Sequence, residues 1–302
     1  MAEWIDLVDP SPDEIRAKLP RDVQEPALDL LLAPSQHADE PRPTLQAHGD
    51  YIFGIFLIAV AVAEEDRVFY QEVDVVVTRD VLLSVSKTPP GEHPYDPRPA
   101  RESCRPDDNA GMMLYRLVDD IAERYLNLVD ALDEEIDQLE DTVETARPAE
   151  TRNRLSDLRH SLLHIRRTLA PTRDAVRRVV DNVIEVEKGK EVFPHEVEVA
   201  FNSAYDKLLR AFDGLELSRD LINSVRDYLQ AKIANDQNEV TKKLTVIASM
   251  LLLPTFIVGL YGQNFRHHFP ELGWQWGYAW SWILIVGTTV LQFVYFKRKR
   301  WI

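Results

Sequence analysis

The sequence predicts an α+β body, then a helical hairpin and a long stalk helix, and finally two membrane-crossing helices at the C-terminus. Three observations point there. The first third is rich in β-branched and aromatic runs, and the middle carries apolar residues at helical spacing. Near the end, 22 residues between Lys243 and Arg266, and 25 between Glu271 and Lys297, carry no formal charge. A helix needs about 20 apolar residues to cross the hydrocarbon of a bilayer. The boundaries read as 1–108 for the α/β domain, 109–195 for the hairpin and 196–243 for the stalk. Beyond them lie a first span over 244–265, an outer loop over 266–274, a second span over 275–296 and a basic tail over 297–302.

In the first domain, residues 51–62 and 68–86 supply the strand-like runs, and a strand pair is expected around Arg79 and Asp80. Proline and charge cluster from Pro89 to Asp108 and mark a boundary. From Met112 the pattern turns helical. Leu114, Leu117, Ile121, Leu128, Leu132, Ile136, Leu139 and Val143 form one face, and the acidic residues between Asp119 and Glu144 lie outside it. Pro148 is expected to end this helix. The next helix, with Leu155, Leu158, Leu162, Ile165 and Leu169, is rich in arginine. An acidic helix returning as a basic one predicts an antiparallel pair, although most of these charges are expected to be solvated. A third pattern runs through Val197, Phe201, Leu208, Phe212, Leu215, Ile222, Val225 and Leu229. No proline occurs between Pro194 and Pro254. One unbroken helix over 196–262 spans about 100 Å at about 1.5 Å per residue, leading directly into the first span.

Charge excludes several functions. The chain of 302 residues has a net charge of −15, but from Val240 onward seven Lys and Arg face only Glu271. That tail is therefore +6 and the first 239 residues are −21. An acidic body repels phosphate, so no nucleic-acid partner is expected. The single Cys104 allows neither an internal disulfide nor a thiolate metal cage. The N-terminus lacks the apolar stretch of a signal peptide. No nucleophile–base pair, phosphate loop or paired-histidine zinc motif signals an enzyme or an organic cofactor. Lys242 and Lys243 before the first span, and Lys297 to Arg300 after the second, place both termini in the cytoplasm.

Two helices cannot enclose a polar path through lipid, so any path needs several copies around an axis. One face of the first span suits that axis: Asn238, Thr241, Thr245, Ala248, Leu252, Thr255 and Gly259, at spacings alternating three and four. Such a stripe serves close helix packing or a water-filled path equally well. Gly262 can then break the helix at the outer end, and Asn264 follows with a neutral amide. A ring of amide oxygens can hydrogen-bond the water shell of Mg2+, which dehydrates reluctantly.

Tyr261, Gly262, Gln263, Asn264 and Phe265 resemble the YGMNF signature of the CorA family of magnesium channels. Phe269 to Leu272 resemble that family's MPEL loop; Trp274, Trp276, Gly277 and Tyr278 continue the likeness, as does the basic tail ending in Trp301. Detailed likeness covers about 230–302. The resemblance implies a funnel-shaped homopentamer in the bacterial inner membrane, among lipid, whose first span lines the pore. It implies passive uptake of hydrated divalent cations, Mg2+ with Co2+ and Ni2+, through a filter at Tyr261, Gly262 and Asn264. It also implies closure by cytosolic Mg2+ bound between subunits. Gln263 replaces the family's methionine, and Asn238 matches a family pore asparagine. The hydrophobic gate would fall near Thr241 and Leu244, where Thr241 is polar and an apolar residue is common. Tyr95, Asp96 and Pro97 resemble the segment supplying one regulatory carboxylate. Its partner would align with Ser203, leaving Asp206 one turn later as the nearest acid. In the outer loop His267, His268 and Glu271 stand near the entrance. The two histidines are candidate Zn2+ ligands, although adjacent positions need not converge on one metal. Alternatives are a Zn2+ transporter of the related ZntB type and a membrane-tethered sensor that conducts nothing.

Overall fold

The computed structural model describes residues 2–20, 23–35, 40–62, 67–184, 186, 191–263 and 274–302. They form two compact units, Met1–Arg226 and Asp227–Ile302.

The first unit is built on a five-stranded sheet in the order β1-β5-β4-β3-β2, with β1 (Glu3–Val8), β2 (Thr44–His48), β3 (Tyr51–Val62), β4 (Arg67–Val77) and β5 (Val81–Lys87). β1 runs parallel to β5, and every other pairing is antiparallel. The expected pair around Arg79 and Asp80 is the β4–β5 hairpin, in which Val77 faces Leu82. Residues 51–59 of β3 are buried without alternation, because both sheet faces are covered. Helices α1 (Pro12–Lys18) and α2 (Glu25–Leu32) cover one face, packing Ile15, Ala27 and Leu31 against Tyr51, Phe53, Ile55, Val76 and Leu83. A short α3 (Arg98–Glu102) precedes α4 (Ala110–Thr142), whose Tyr125 hydroxyl donates to the Leu57 carbonyl at 3.0 Å.

Helix α4 starts at the cap Asn109, whose side chain accepts from the Met112 amide at 2.7 Å. It ends at Thr142, before Pro148, which instead occupies the first position of α5 (Pro148–Val180). A proline there loses no hydrogen bond, since the first helical N–H groups lack partners anyway. The apolar stripe of α4 is buried as expected except at Leu128, where Tyr125 and Val129 fill the face instead. Arg154 of α5 pairs with Glu135 of α4, consistent with antiparallel packing. The acidic face of α4 is not matched by α5 alone. Lys207 of α6 (His195–Tyr261) reaches Asp119 at 3.0 Å and Glu123 at 2.9 Å, and the Ser218 hydroxyl of α6 bonds Asp133. Between α5 and α6, Arg166 meets Glu216 at 3.2 Å and Arg173 lies 4.3 Å from the Phe212 ring centre. The pairing is shared among three helices running alternately up and down.

Gly111 marks where the backbone crowds. A Cβ there would stand 2.2 Å from the Val192 carbonyl oxygen, just before α6 begins. Helix propensity favours alanine by about 1 kcal/mol, but overpacking costs about 1–3 kcal/mol. Gly111→Ala should therefore lower the midpoint of thermal unfolding; an unchanged or raised midpoint would show that the Val192 segment yields freely.

A second constraint lies inside the sheet. Lys87 Nζ contacts Glu72 at 2.6 Å and Asp74 at 2.6 Å and donates to the Leu30 carbonyl at 2.7 Å, all three charged side chains being buried. Two carboxylates share one ammonium, so full ionisation leaves an unbalanced buried charge. Burial pushes the Asp74 carboxyl from 3.8 up to about 8, with Lys87 opposing the rise and Glu72 adding to it. The folded chain thus holds a proton that the unfolded chain releases, so stability drains as pH climbs from about 4 towards 8. Asp74→Asn, which mimics the protonated acid, should flatten the fall in unfolding midpoint between pH 5 and pH 8. Parallel wild-type and variant curves would refute the shared-proton arrangement.

Candidate functional site in the membrane unit

Helix α6 runs to Tyr261, and α7 spans Gly277–Arg298. Both are long and apolar enough to cross a membrane. Their side chains are not a folded core: Leu251, Leu252, Phe256, Ile283, Val290 and Leu291 are all exposed. A helix apolar nearly all round and unburied belongs in lipid.

The faces of α6 differ. Val246 is buried, while Ser249, Met250, Leu253, Pro254 and Ile257 are half-buried. On that side Gln292 of α7 donates from Nε2 to the Ser249 carbonyl at 3.2 Å. The predicted stripe is the exposed side: Asn238, Thr241, Thr245, Ala248, Leu252, Thr255 and Gly259 are all solvent-facing in the single chain, as is Leu244 beside them.

The hydroxyls on this stripe have a specific state. Thr241 donates to the Gln237 carbonyl at 2.8 Å, Thr245 to Thr241 at 2.8 Å and Thr255 to Leu251 at 2.7 Å. Each proton is thus spent on the backbone one turn earlier, leaving the hydroxyl oxygen free as an acceptor. A row of acceptors suits water molecules whose protons point outward from a cation. Pro254 supplies no N–H to the Met250 carbonyl four residues back, and both residues lie on the half-buried side of α6, away from the stripe.

At the C-terminal end of α6, Gly262 follows the last helical residue, Tyr261, and its amide still bonds the Val258 carbonyl at 2.9 Å. Its backbone is not left-handed, so the expected helix break does not rest on glycine's special φ. Its smallness acts differently: a Cβ would lie 3.1 Å from the Val258 oxygen. Asn264, His267, His268 and Glu271 lie outside the described residues.

Near the basic end of the unit the sequence understated the site. Asn235, Asn238, Thr241 and Thr245 line a hollow of about 290 Å3 together with Glu239, Lys242 and Trp301. Asn235 stands three residues before Asn238, where the alternation of the stripe points instead to Ala234. Trp301 is placed by a fold-back: its amide bonds the Phe296 carbonyl at 3.0 Å, its ring stacks on Phe296 at 5.7 Å, and Arg300 adopts a φ of 55°. Sequence periodicity carries no signal for such a turn.

The two regulatory candidates sit in the first unit. Tyr95 is buried, with its hydroxyl donating to Asp120 at 2.7 Å, and it holds the neighbouring Asp96 at the surface. Arg98 grips Asp96 through Nε at 2.9 Å to both oxygens, which keeps this carboxyl below the ordinary range. Asp206 is exposed on α6. Among the described residues of one chain, no three His, Cys, Asp or Glu side chains converge as a metal site. Asp96 and Asp206 therefore form no complete site within one chain.

Known proteins extend these observations. The profile of the family described as CorA-like Mg2+ transporter protein matches residues 2–298. A cobalt/magnesium transport protein CorA of Thermotoga maritima is 30% identical over 267 residues, covering 86% of this chain and 73% of the relative. The complete structure of the CorA magnesium transporter from Methanocaldococcus jannaschii shares the fold, with a TM-score of 0.78 at 20% identity over 99% of this chain and 91% of that one. The cytoplasmic domain of ZntB from Vibrio parahaemolyticus also shares it, with a TM-score of 0.58 at 16% identity over 77% of this chain and 88% of that one. The family is one of transporters rather than enzymes, and the long exposed helices with their acceptor-lined stripe agree with it. With nearly the whole length matched, the chain belongs to the CorA-like Mg2+ transporter family.

Proposed function

We propose that five copies of this chain assemble in the bacterial cytoplasmic membrane, both termini inside, and pass hydrated Mg2+ inward along a central axis lined by α6, with Co2+ and Ni2+ as further substrates. The observation carrying this reading is the exposed stripe of α6, whose threonine protons are bonded to the backbone and whose oxygens are left to accept. Cargo that keeps its water presents protons to the wall, and acceptor oxygens or amides receive them without stripping the ion. Leu252 supplies an apolar ring within this path. Tyr261, Gly262 and Asn264 form the outer filter in this reading, with Asn264 offering its amide oxygen. His267, His268 and Glu271 lie at the entrance. The regulatory ion bridges Asp96 of one copy and Asp206 of its neighbour, and has to displace Arg98 from Asp96 to do so.

A Zn2+ transporter of ZntB type is the second reading, favoured by the paired histidines and by the shared fold of the ZntB domain. Flux into proteoliposomes separates the readings. Mg2+ entry without a proton gradient supports the channel. Zn2+ entry that requires a gradient supports the second reading, and no flux of either ion leaves a sensor that conducts nothing. Asn264→Ala should reduce Mg2+ entry to background while the assembly still elutes at wild-type size; near-wild-type flux would sink the filter assignment.

Regulation has its own test. Each body carries −21, and such charges crowded around an axis repel unless counterions bridge them. A ligand binding only the compact form adds about 2.7 kcal/mol at a hundredfold excess over its Kd, enough to bias a modest equilibrium. Mg2+ should therefore slow proteolysis of α6, and Asp96→Lys should slow it even without Mg2+. Equal cleavage of the wild type with and without the ion would rule out closure through these acids.

A further inference from the structure

We propose that a cleft in the first unit, between residues 40–42 and α5, binds a nucleoside polyphosphate. The cleft encloses about 1010 Å3, at the upper end of the range for small-molecule sites, about 300–1,000 Å3. Its position is independent of the α6 stripe, and the inference stands whether or not the chain conducts Mg2+.

Helix α5 presents His160, His164, Arg167 and Pro171 to the cleft at spacings of four, three and four, one continuous helical face. Arg42 stands on the opposite wall. His164 is fixed: its Nε2 lies 2.7 Å from Glu40 Oε2, and its ring packs 4.5 Å from Tyr70. Arg166, also at the cleft, is engaged by Glu216. By contrast Arg42, Arg167 and His160 make no ion pair among the described residues. In a body of charge −21, two guanidiniums and an imidazole, all exposed and without an ion pair among the described residues, make a local basic patch about this cleft. A multiply charged anion relieves the repulsion between the two guanidiniums, and guanidinium forks fit phosphate oxygens two at a time.

The remaining surface suits an organic ring and a sugar better than bare phosphate. Leu163 is 45% exposed at the cleft, and Pro41 and Pro171 add apolar wall. The flat guanidinium of Arg167 can stack on a base. Pro171 brings no N–H, so the Arg167 carbonyl lacks its helical donor and is left to a ligand's amino or hydroxyl group. Glu40 retains one carboxylate oxygen beyond its histidine partner, an acceptor for a sugar hydroxyl.

The test is calorimetric titration of the full chain in detergent with ATP, with inorganic tripolyphosphate and with adenosine, free Mg2+ being held constant by a metal buffer. ATP should bind saturably, and tripolyphosphate and adenosine should each bind at least tenfold more weakly. Arg42→Ala with Arg167→Ala should weaken ATP at least tenfold, and so should Arg167→Glu alone. Arg152→Ala with Arg159→Ala, outside the cleft on the same helix, should leave binding unchanged. No saturable ATP binding, wild-type affinity in the cleft variants, or tripolyphosphate binding as tightly as ATP would each overturn the proposal.

Discussion

Hydrocarbon offers no hydrogen bonds, and that absence governs the membrane unit. Every backbone group within it must be satisfied inside the helix, and every polar side chain must either bond that backbone or face another copy. The threonines of α6 meet the first demand: Thr241, Thr245 and Thr255 give their protons to carbonyls one turn back and keep their oxygens outward. Gln292 meets the same demand by bonding across to Ser249. A single copy leaves the acceptor stripe uncovered.

The first unit answers to water instead and can hold charge, provided the charge is shared. Lys207 between Asp119 and Glu123, and Arg166 beside Glu216, knit α4, α5 and α6 at partly exposed positions, where each pair contributes about 0–1 kcal/mol. These contacts set alignment more than stability; burial of Tyr125, Phe201 and Leu208 supplies the larger driving force. The Glu72–Lys87–Asp74 group is the exception, since inside the sheet a second ionised carboxylate has no solvent to spread its charge into and Asp74 keeps its proton.

Much of this was legible in residue order. Periodicity located α4, α5 and α6, and the gap in charge located both spans. Alternating steps of three and four mark the α6 stripe along the chain, and its residues are exposed in the single copy. The misreadings were local. Pro148 looked like a terminator and is an initiator, because proline is equally suited to the position just inside a helix start. The acidic and basic helices looked like mutual partners, but the third helix takes up part of the acidic face, which composition alone does not reveal.

The sequence by itself determined the element types, the two apolar spans and the family signature. These depend on side-chain period and local backbone chemistry, both written along the chain. Tertiary structure alone decided which distant groups meet: Trp301 folded back towards Asn238, Asp74 and Glu72 sharing Lys87, and Glu40 fixing His164 beside a basic cleft. Such encounters follow from strand register, helix packing and turn geometry, where a shift of one residue turns a side chain from one face to the other.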